Sequence, residues 1–313
     1  MLHSIWEQIV NLSFFAVLLR LLPPILLGAL GGLLTDRGGV INIGIEGLML
    51  VSAFTSISVG SASGSWVAGV LAGMLASVLV SLLMAFFTLQ MKVDVIVAGF
   101  AVNIFGGAAT VLLMSILYHS HGQYMPADPV RIPNVVIPFI EDIPVLGQLL
   151  SGHNVMVWLS FLAVLFCYVL LNHTPYGFHL RAVGEEPSAA RSLGIDVQRI
   201  QYSALIWGGV FSGLAGAYLS TGMTSMFVRE MTAGTGFLAL AVVIFGNKNP
   251  VGILFGSLLF ALAQTLVNTV ETTPDNKVPS QLIAMIPYIV TVAVLSVYAV
   301  RKASTRRRKA AAV

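Results

Sequence analysis

Two ionisable side chains, Arg20 and Glu46, lie inside long apolar stretches of this 313-residue sequence. A charge in hydrocarbon costs about 2.5 kcal/mol or more unless it faces a partner or a water-filled cavity, so both residues are candidates for work on a polar solute. Glu46 belongs to the run Asn42-Ile43-Gly44-Ile45-Glu46-Gly47, whose spacing predicts Asn42 and Glu46 one turn apart on a common helix face. Arg20 shortly precedes Pro23-Pro24. Prolines and glycines loosen both segments, and irregular backbone at membrane depth is tolerated only where protein or a cavity covers it. Asn42, Glu46, Arg20 and Asn103 are therefore the candidate lining of a path through the membrane. The competing reading puts Glu46 near the cytoplasmic interface, paired with Arg37 or a neighbouring chain and fixing helix positions. Asn103, Gln264 and Asn268 are uncharged polar residues suited either to solute contact or to interhelical hydrogen bonding.

Other chemistries lack their residues. His3, His119, His121, His153, His173 and His179 all fall at ends or in loops, so they assemble no intramembrane acid–base or metal constellation. No metal site is expected. No G-x-x-x-x-G-K-[ST] run occurs, so any nucleotide binds on another chain. Cys167, the single cysteine, can form no internal disulfide. A membrane enzyme is disfavoured.

The elements that must position these residues follow from composition. The chain is 57% hydrophobic and 9% charged, far from the roughly quarter-charged make-up of a soluble domain. Apolar runs long enough to cross a bilayer are predicted at 14–34, 40–59, 66–89, 93–118, 155–171, 202–221, 251–270 and 282–300. A shorter run, Gly236–Phe245, reads as a half-helix or one arm of a hairpin. The fold class is an all-α polytopic membrane protein with eight or nine transmembrane helices. With the N-terminus outside, twelve basic residues fall in inner loops (Arg37, Lys92, Arg181, Arg191, Arg199, Lys248, Arg301, Lys302, Arg306, Arg307, Arg308, Lys309) and three outside (Arg131, Arg229, Lys277). Because cytoplasmic loops carry the excess of Lys and Arg, an outside N-terminus and a cytoplasmic C-terminus are expected. A single transmembrane domain thus spans 1–300, with an outer loop at 119–154 and an inner loop at 172–201. A basic tail, 301–313, suits anionic lipid headgroups.

The inner loop contains TPYGFHLRAVGEEPSAARSLGID from Thr174 to Asp196. This resembles the cytoplasmic coupling loop of ATP-binding cassette (ABC) importer permeases, with Glu186, Ala189, Ala190 and Gly194 at the motif positions and Pro187 stretching the spacing. TDRGGVINIGIEGLML, from Thr35 to Leu50, is similar to the simple-sugar and nucleoside members of the ribose-type branch, and FGNKNPVG, Phe245 to Gly252, is a third match. The likeness runs from about Leu18 to Val300, and the chain lacks the first helix of ribose permeases. It implies a ribose-type permease fold in a bacterial cell membrane and passage of nucleosides ahead of simple sugars. It also implies a short helix at 187–193 seated in an ATPase subunit, with Glu186 and Arg191 making polar contacts. The expected partners are that ATPase, a second permease, an extracytoplasmic substrate-binding protein and the lipid bilayer, with no nucleic acid polymer. ATP and magnesium would bind the ATPase, and no cofactor this chain. The rival class is an ion-coupled secondary transporter, which would offer more ionisable groups near the midplane. Phe54, Trp207 and Phe211 could stack on a base or simply pack a core.

Overall fold

A computed structural model of the chain describes residues 12–135, 151–272 and parts of the stretch from 279 to 296. Its helices in chain order are α1 (Leu12–Arg37), α2 (Ile45–Ser63), α3 (Trp66–Ala85), α4 (Val95–Tyr118), α5 (Val155–His173), α6 (Pro175–Glu185), α7 (Pro187–Ser192), α8 (Val197–Ala217), α9 (Thr235–Phe245), α10 (Pro250–Thr272) and α11 (Ser280–Ile283). α3 and α8 each run on into a π-helical turn, Phe86–Gln90 and Tyr218–Thr224. Seven of the described helices are long and apolar enough to cross a membrane, and α9 is a shorter apolar helix. The expected span at 282–300 and the tail at 301–313 fall largely or wholly outside the described residues.

α1 is apolar on every side, and such a helix has to be covered all round. Leu22, Ile25, Leu26, Leu27, Leu30, Leu33 and Leu34 are all buried, against α5, α8, α9 and α10. α4 is the reverse case. One stripe, Ala98, Val102, Gly106, Thr110 and Met114, recurs every fourth residue and is buried against α2. The opposite face leaves Ile104, Leu112 and Ile116 exposed, as suits lipid or another membrane chain. α2 and α4 meet so closely that a Cβ on Gly47 would lie 2.4 Å from the Val102 carbonyl oxygen.

Pro23 and Pro24 leave α1 unbroken. A proline gives no N–H to the carbonyl four residues back, so Pro24 frees the Arg20 oxygen. The Tyr218 hydroxyl donates to that oxygen at 2.9 Å, which offsets the loss. The expected loosening of the first span is thereby corrected.

The basic residues sort by end. Val40, Ala85 and Leu205 pack together with Leu89, Val95 and Tyr202, which brings the turns holding Arg37 and Lys92 to the end where α8 begins. Lys248 joins them through Arg37. At the opposite end, β1 (Gln123–Tyr124) pairs with β4 (Phe227–Val228), and β2 (Asn134–Val135) pairs with β3 (His153–Asn154). Residues 136–150 of the expected outer loop lie outside the described residues.

Tyr218→Phe is expected to leave the freed Arg20 carbonyl without its donor at a cost of about 1–3 kcal/mol. Thermal unfolding in detergent should show a lowered midpoint, and an unchanged midpoint would count against the compensation.

Candidate functional site

Two helices here begin at a glycine, which has no side chain to accept from the orphan amides of the first turn. α2 has Gly44 at its N-cap and α9 has Gly234, and neither has a local side-chain cap. The unpaired amides of a helix start need partners wherever water is excluded. Both helices obtain them from elsewhere in the chain. Asn103, on α4, accepts from the Gly47 amide at 2.8 Å through Oδ1 and donates to the Ile43 carbonyl at 3.0 Å through Nδ2. Glu46, in the first turn of α2, accepts from the Gly234 amide at 2.8 Å through Oε1 and from the Gly236 amide at 2.6 Å through Oε2.

The Glu46 carboxylate thus lies between two helix N-termini, its own and that of α9, and both favour negative charge. That answers how a carboxylate is held inside the membrane-crossing bundle. Hydrogen bonds to a charged group contribute roughly 1.5–3 kcal/mol each, enough to offset much of the cost of burial. Gly236 precedes Phe245 by nine residues, so Glu46 meets α9 roughly 13 Å of helix from the end that carries the following turn. α9 is a short apolar helix that turns at 246–249 into α10, the hairpin that its apolar run and the following GNKNP also allowed.

Its other end is tied as well. Arg37 donates through Nε to the Lys248 carbonyl at 2.8 Å and through Nη2 to the same oxygen, while Lys248 Nζ lies 3.5 Å from Asp36 Oδ2. Arg37 therefore serves the turn after α9, and the alternative of an Arg37–Glu46 pair is corrected.

Glu46 and Asn103 face a cavity of about 1170 Å³ between α2, α4 and the segment 229–234. Leu50, Ile104, Val111 and Leu112 form its apolar wall, and His121, Arg229 and Glu230 stand on it toward the opposite end. Arg229 and Glu230 are exposed, with Nε and Oε1 3.9 Å apart, a spacing that contributes little.

Asn42 does not join Glu46 on a helix face, because α2 starts only at Ile45 and Asn42 lies in the preceding turn. There its Oδ1 accepts from the Gly44 amide at 3.0 Å. Arg20 joins neither of them. It lines a separate cavity of about 420 Å³ with Arg131, Asn134 and Asn154. Of the four path candidates, the fold brings together Glu46 and Asn103 alone. Phe54, Trp207 and Phe211 are taken up by packing, Phe54 edge-on to Tyr118 and Phe227, and Trp207 against Phe166 and Phe211.

The inner loop forms two short helices, α6 and α7, where one was expected. Glu186 precedes Pro187 at the start of α7, and its Oε1 accepts from the Ser188 hydroxyl at 2.5 Å. Ala189, Arg191 and Leu193 are exposed, whereas Ala190 is buried against its own chain with Val183 and Val197. Gly194 turns the chain at φ +80°. Leu193, 80% exposed, is an apolar side chain that the sequence reading passed over, although a lone leucine between Ser192 and Gly194 is a visible signal. α6 ties to α8 through Tyr176 Oη and Ser203 Oγ, 2.8 Å apart; burial pushes the Tyr176 phenol pKa up, partly opposed by this bond. α6 also touches the turn leading to the site. A Cβ on Gly184 would lie 2.0 Å from the Arg37 carbonyl oxygen, so only glycine allows this approach.

Comparison with known proteins gives a consistent picture. Residues 14–295 match the family model described as "Branched-chain amino acid transport system / permease component". The chain is similar to the nucleoside ABC transporter permease protein NupC of Lactococcus lactis, 33% identical over 88% of this chain and 88% of that one. It is similar to the guanosine ABC transporter permease protein NupQ of Bacillus subtilis, 34% identical over 87% and 88%. A third relative is the guanosine ABC transporter permease protein NupP, also of Bacillus subtilis, 25% identical over 95% and 86%.

Glu46→Gln keeps one acceptor but turns an NH2 group toward an amide N–H. It should cost about 1.5–3 kcal/mol and speed hydrogen exchange at Gly234 and Gly236. Exchange mass spectrometry checks this, and unchanged protection of that segment would contradict the capping role.

Proposed function

The chain belongs to this family of transport-system permease components, and from that premise we propose that it carries nucleosides inward as the membrane subunit of an ATP-driven ABC importer. It is a multi-pass membrane protein and a transport component, not an enzyme. The observation that carries the reading is a cavity of largely apolar lining inside the helix bundle, with Glu46 and Asn103 as polar groups on its wall, beside a short helix whose far end meets the turn that α6 touches.

A mechanism follows from these contacts. The Arg37 end is cytoplasmic, since it gathers Arg37, Lys92, Arg181 and Lys248. An ATPase subunit seats on α7 and its exposed neighbours Glu186, Ala189, Arg191, Leu193 and Gly194; ATP with magnesium binds there, and no cofactor binds this chain. Movement of α6 and α7 passes through the Gly184 contact to the Arg37 turn. From there it reaches α9 at one end through Lys248 and at the other through Glu46. A two-state element biased at its ends is what alternating access requires.

The cavity between α2 and α4 opens beside the exposed face of α4, which a second permease would cover. Bacillus subtilis holds two guanosine permease proteins similar to this chain, NupQ and NupP, and this supports an unlike pair. An extracytoplasmic binding protein would deliver solute to the end bearing His121, Arg229 and Glu230. Nucleosides are favoured over simple sugars by the names of those relatives and by the Asn-Ile-Gly-Ile-Glu-Gly run. A secondary transporter is disfavoured, because such proteins place several ionisable groups near the midplane and this sequence offers only Glu46 and Arg20 within its apolar spans.

Uptake of radiolabelled guanosine into vesicles holding this chain, its partner permease, the ATPase and the binding protein should require ATP. Uptake by this chain alone under an ion gradient would overturn the importer reading. Glu186→Arg should leave membrane insertion intact and reduce ATP-dependent uptake at least tenfold, and full uptake in that variant would refute the coupling assignment.

A further inference from the structure

A second chamber, of about 490 Å³, lies on the Arg37 side of the Glu46 clasp. Its walls include Asp36, Asn42, Phe100, Phe237, Asn247 and Lys248. Its wall residues adjoin those of the larger chamber. Ile43 precedes Glu46 by three residues, Phe100 precedes Asn103 by three, and Phe237 follows Gly234 by three. The two cavities thus adjoin, with the bonds from Glu46 to Gly234 and Gly236 and from Asn103 to Ile43 and Gly47 lying between their walls.

Their chemistry differs. Apart from the imidazole of His121, no aromatic ring lines the larger chamber among the described residues. The smaller holds two phenylalanine rings, Phe100 at 49% and Phe237 at 42% exposure, and among the described residues neither packs on another ring. At its cytoplasmic mouth stand the Asp36 carboxylate, the Asn247 amide and the Lys248 ammonium. Asn42, buried in its wall, keeps an amide Nδ2 with no hydrogen-bond partner. The volume falls in the range of about 300–1,000 Å³ typical of small-molecule sites, and apolar walls with a few polar groups are their usual composition.

We infer that this inner chamber is a second solute site on the exit side of the clasp, in which Phe100 and Phe237 stack on a nucleobase while Asp36 and Asn247 hydrogen-bond the polar edge of the nucleoside. The inference rests on the nucleoside reading above. Stacking is tolerant of which base is presented, because every base has a π-face, so the site selects nucleosides as a class over sugars that lack a base.

The test uses the assembled importer in lipid nanodiscs and vesicles. Phe100→Leu and Phe237→Leu keep apolar bulk and remove the ring; each should lower guanosine uptake efficiency by roughly five- to a hundred-fold. Phe237→Tyr should retain uptake. Phe237→Trp supplies a direct readout: guanosine should quench the added emission relative to wild type and ribose should not. Wild-type uptake of guanosine, together with full uptake in both leucine variants or no quenching in the tryptophan variant, overturns the inner site and leaves the nucleoside reading standing. A wild-type complex that takes up ribose but not guanosine overturns the nucleoside reading and this site with it. Should a leucine variant fail to assemble, the quenching of Phe237→Trp decides alone.

Discussion

The structure depends on a shortage of acceptors at two helix starts inside the bundle. A helix that starts inside the bilayer exposes amide N–H groups that water cannot reach, and a glycine N-cap brings no oxygen to meet them. α2 and α9 both start in this way. Asn103 and Glu46 supply the missing acceptors, and in doing so they join α4 to α2 and α2 to α9. The placement of Glu46 follows. A carboxylate there needs no basic partner, because two helix N-termini and two short hydrogen bonds stabilise its charge.

Packing serves this junction. α1 lies at the centre, wrapped by α5, α8, α9 and α10, and holds α9 in place along its length. The glycine contact between α2 and α4 lets Asn103 reach the start of α2, since a larger residue at position 47 would force the helices apart. Pro23-Pro24 is accommodated because Tyr218 takes over the freed carbonyl. The result is a stiff frame around one short element whose two ends are held by side chains, at Glu46 and at Arg37. Such an element can change partners without unpacking the bundle. Transport asks for that combination: a rigid wall and a small part that moves.

Much of this was legible in the sequence. Spans were found because apolar length is a strong signal, and α9 stood out because its run is too short to cross. The basic end was readable from the positions of Arg37, Lys92, Arg181 and Lys248. What sequence spacing hid was the start of α2. Asn42 and Glu46 are four residues apart, but Gly44 interrupts the helix between them, so the common face does not exist. The caps were hidden for another reason. Asn103 and Gly47 lie 56 residues apart and Glu46 and Gly236 lie 190 apart, and no local pattern links them. For Phe54, Trp207 and Phe211 the sequence left stacking on a base and core packing open, and only the fold, which packs them against Tyr118, Phe227, Phe166 and each other, decides for packing.

In the transport mechanism we propose, the Glu46 clasp divides one path into two compartments that open in turn. Cysteines placed singly at Ser115, in the larger chamber, and at Ile41, in the smaller, report on it through labelling by a membrane-impermeant thiol reagent applied from each side of the assembled complex, with and without ATP. Reciprocal accessibility is expected, each site labelled in one nucleotide state and protected in the other, with Glu46→Gln allowing both to label at once. Simultaneous labelling of both sites in the wild-type background, indifferent to ATP, would contradict it.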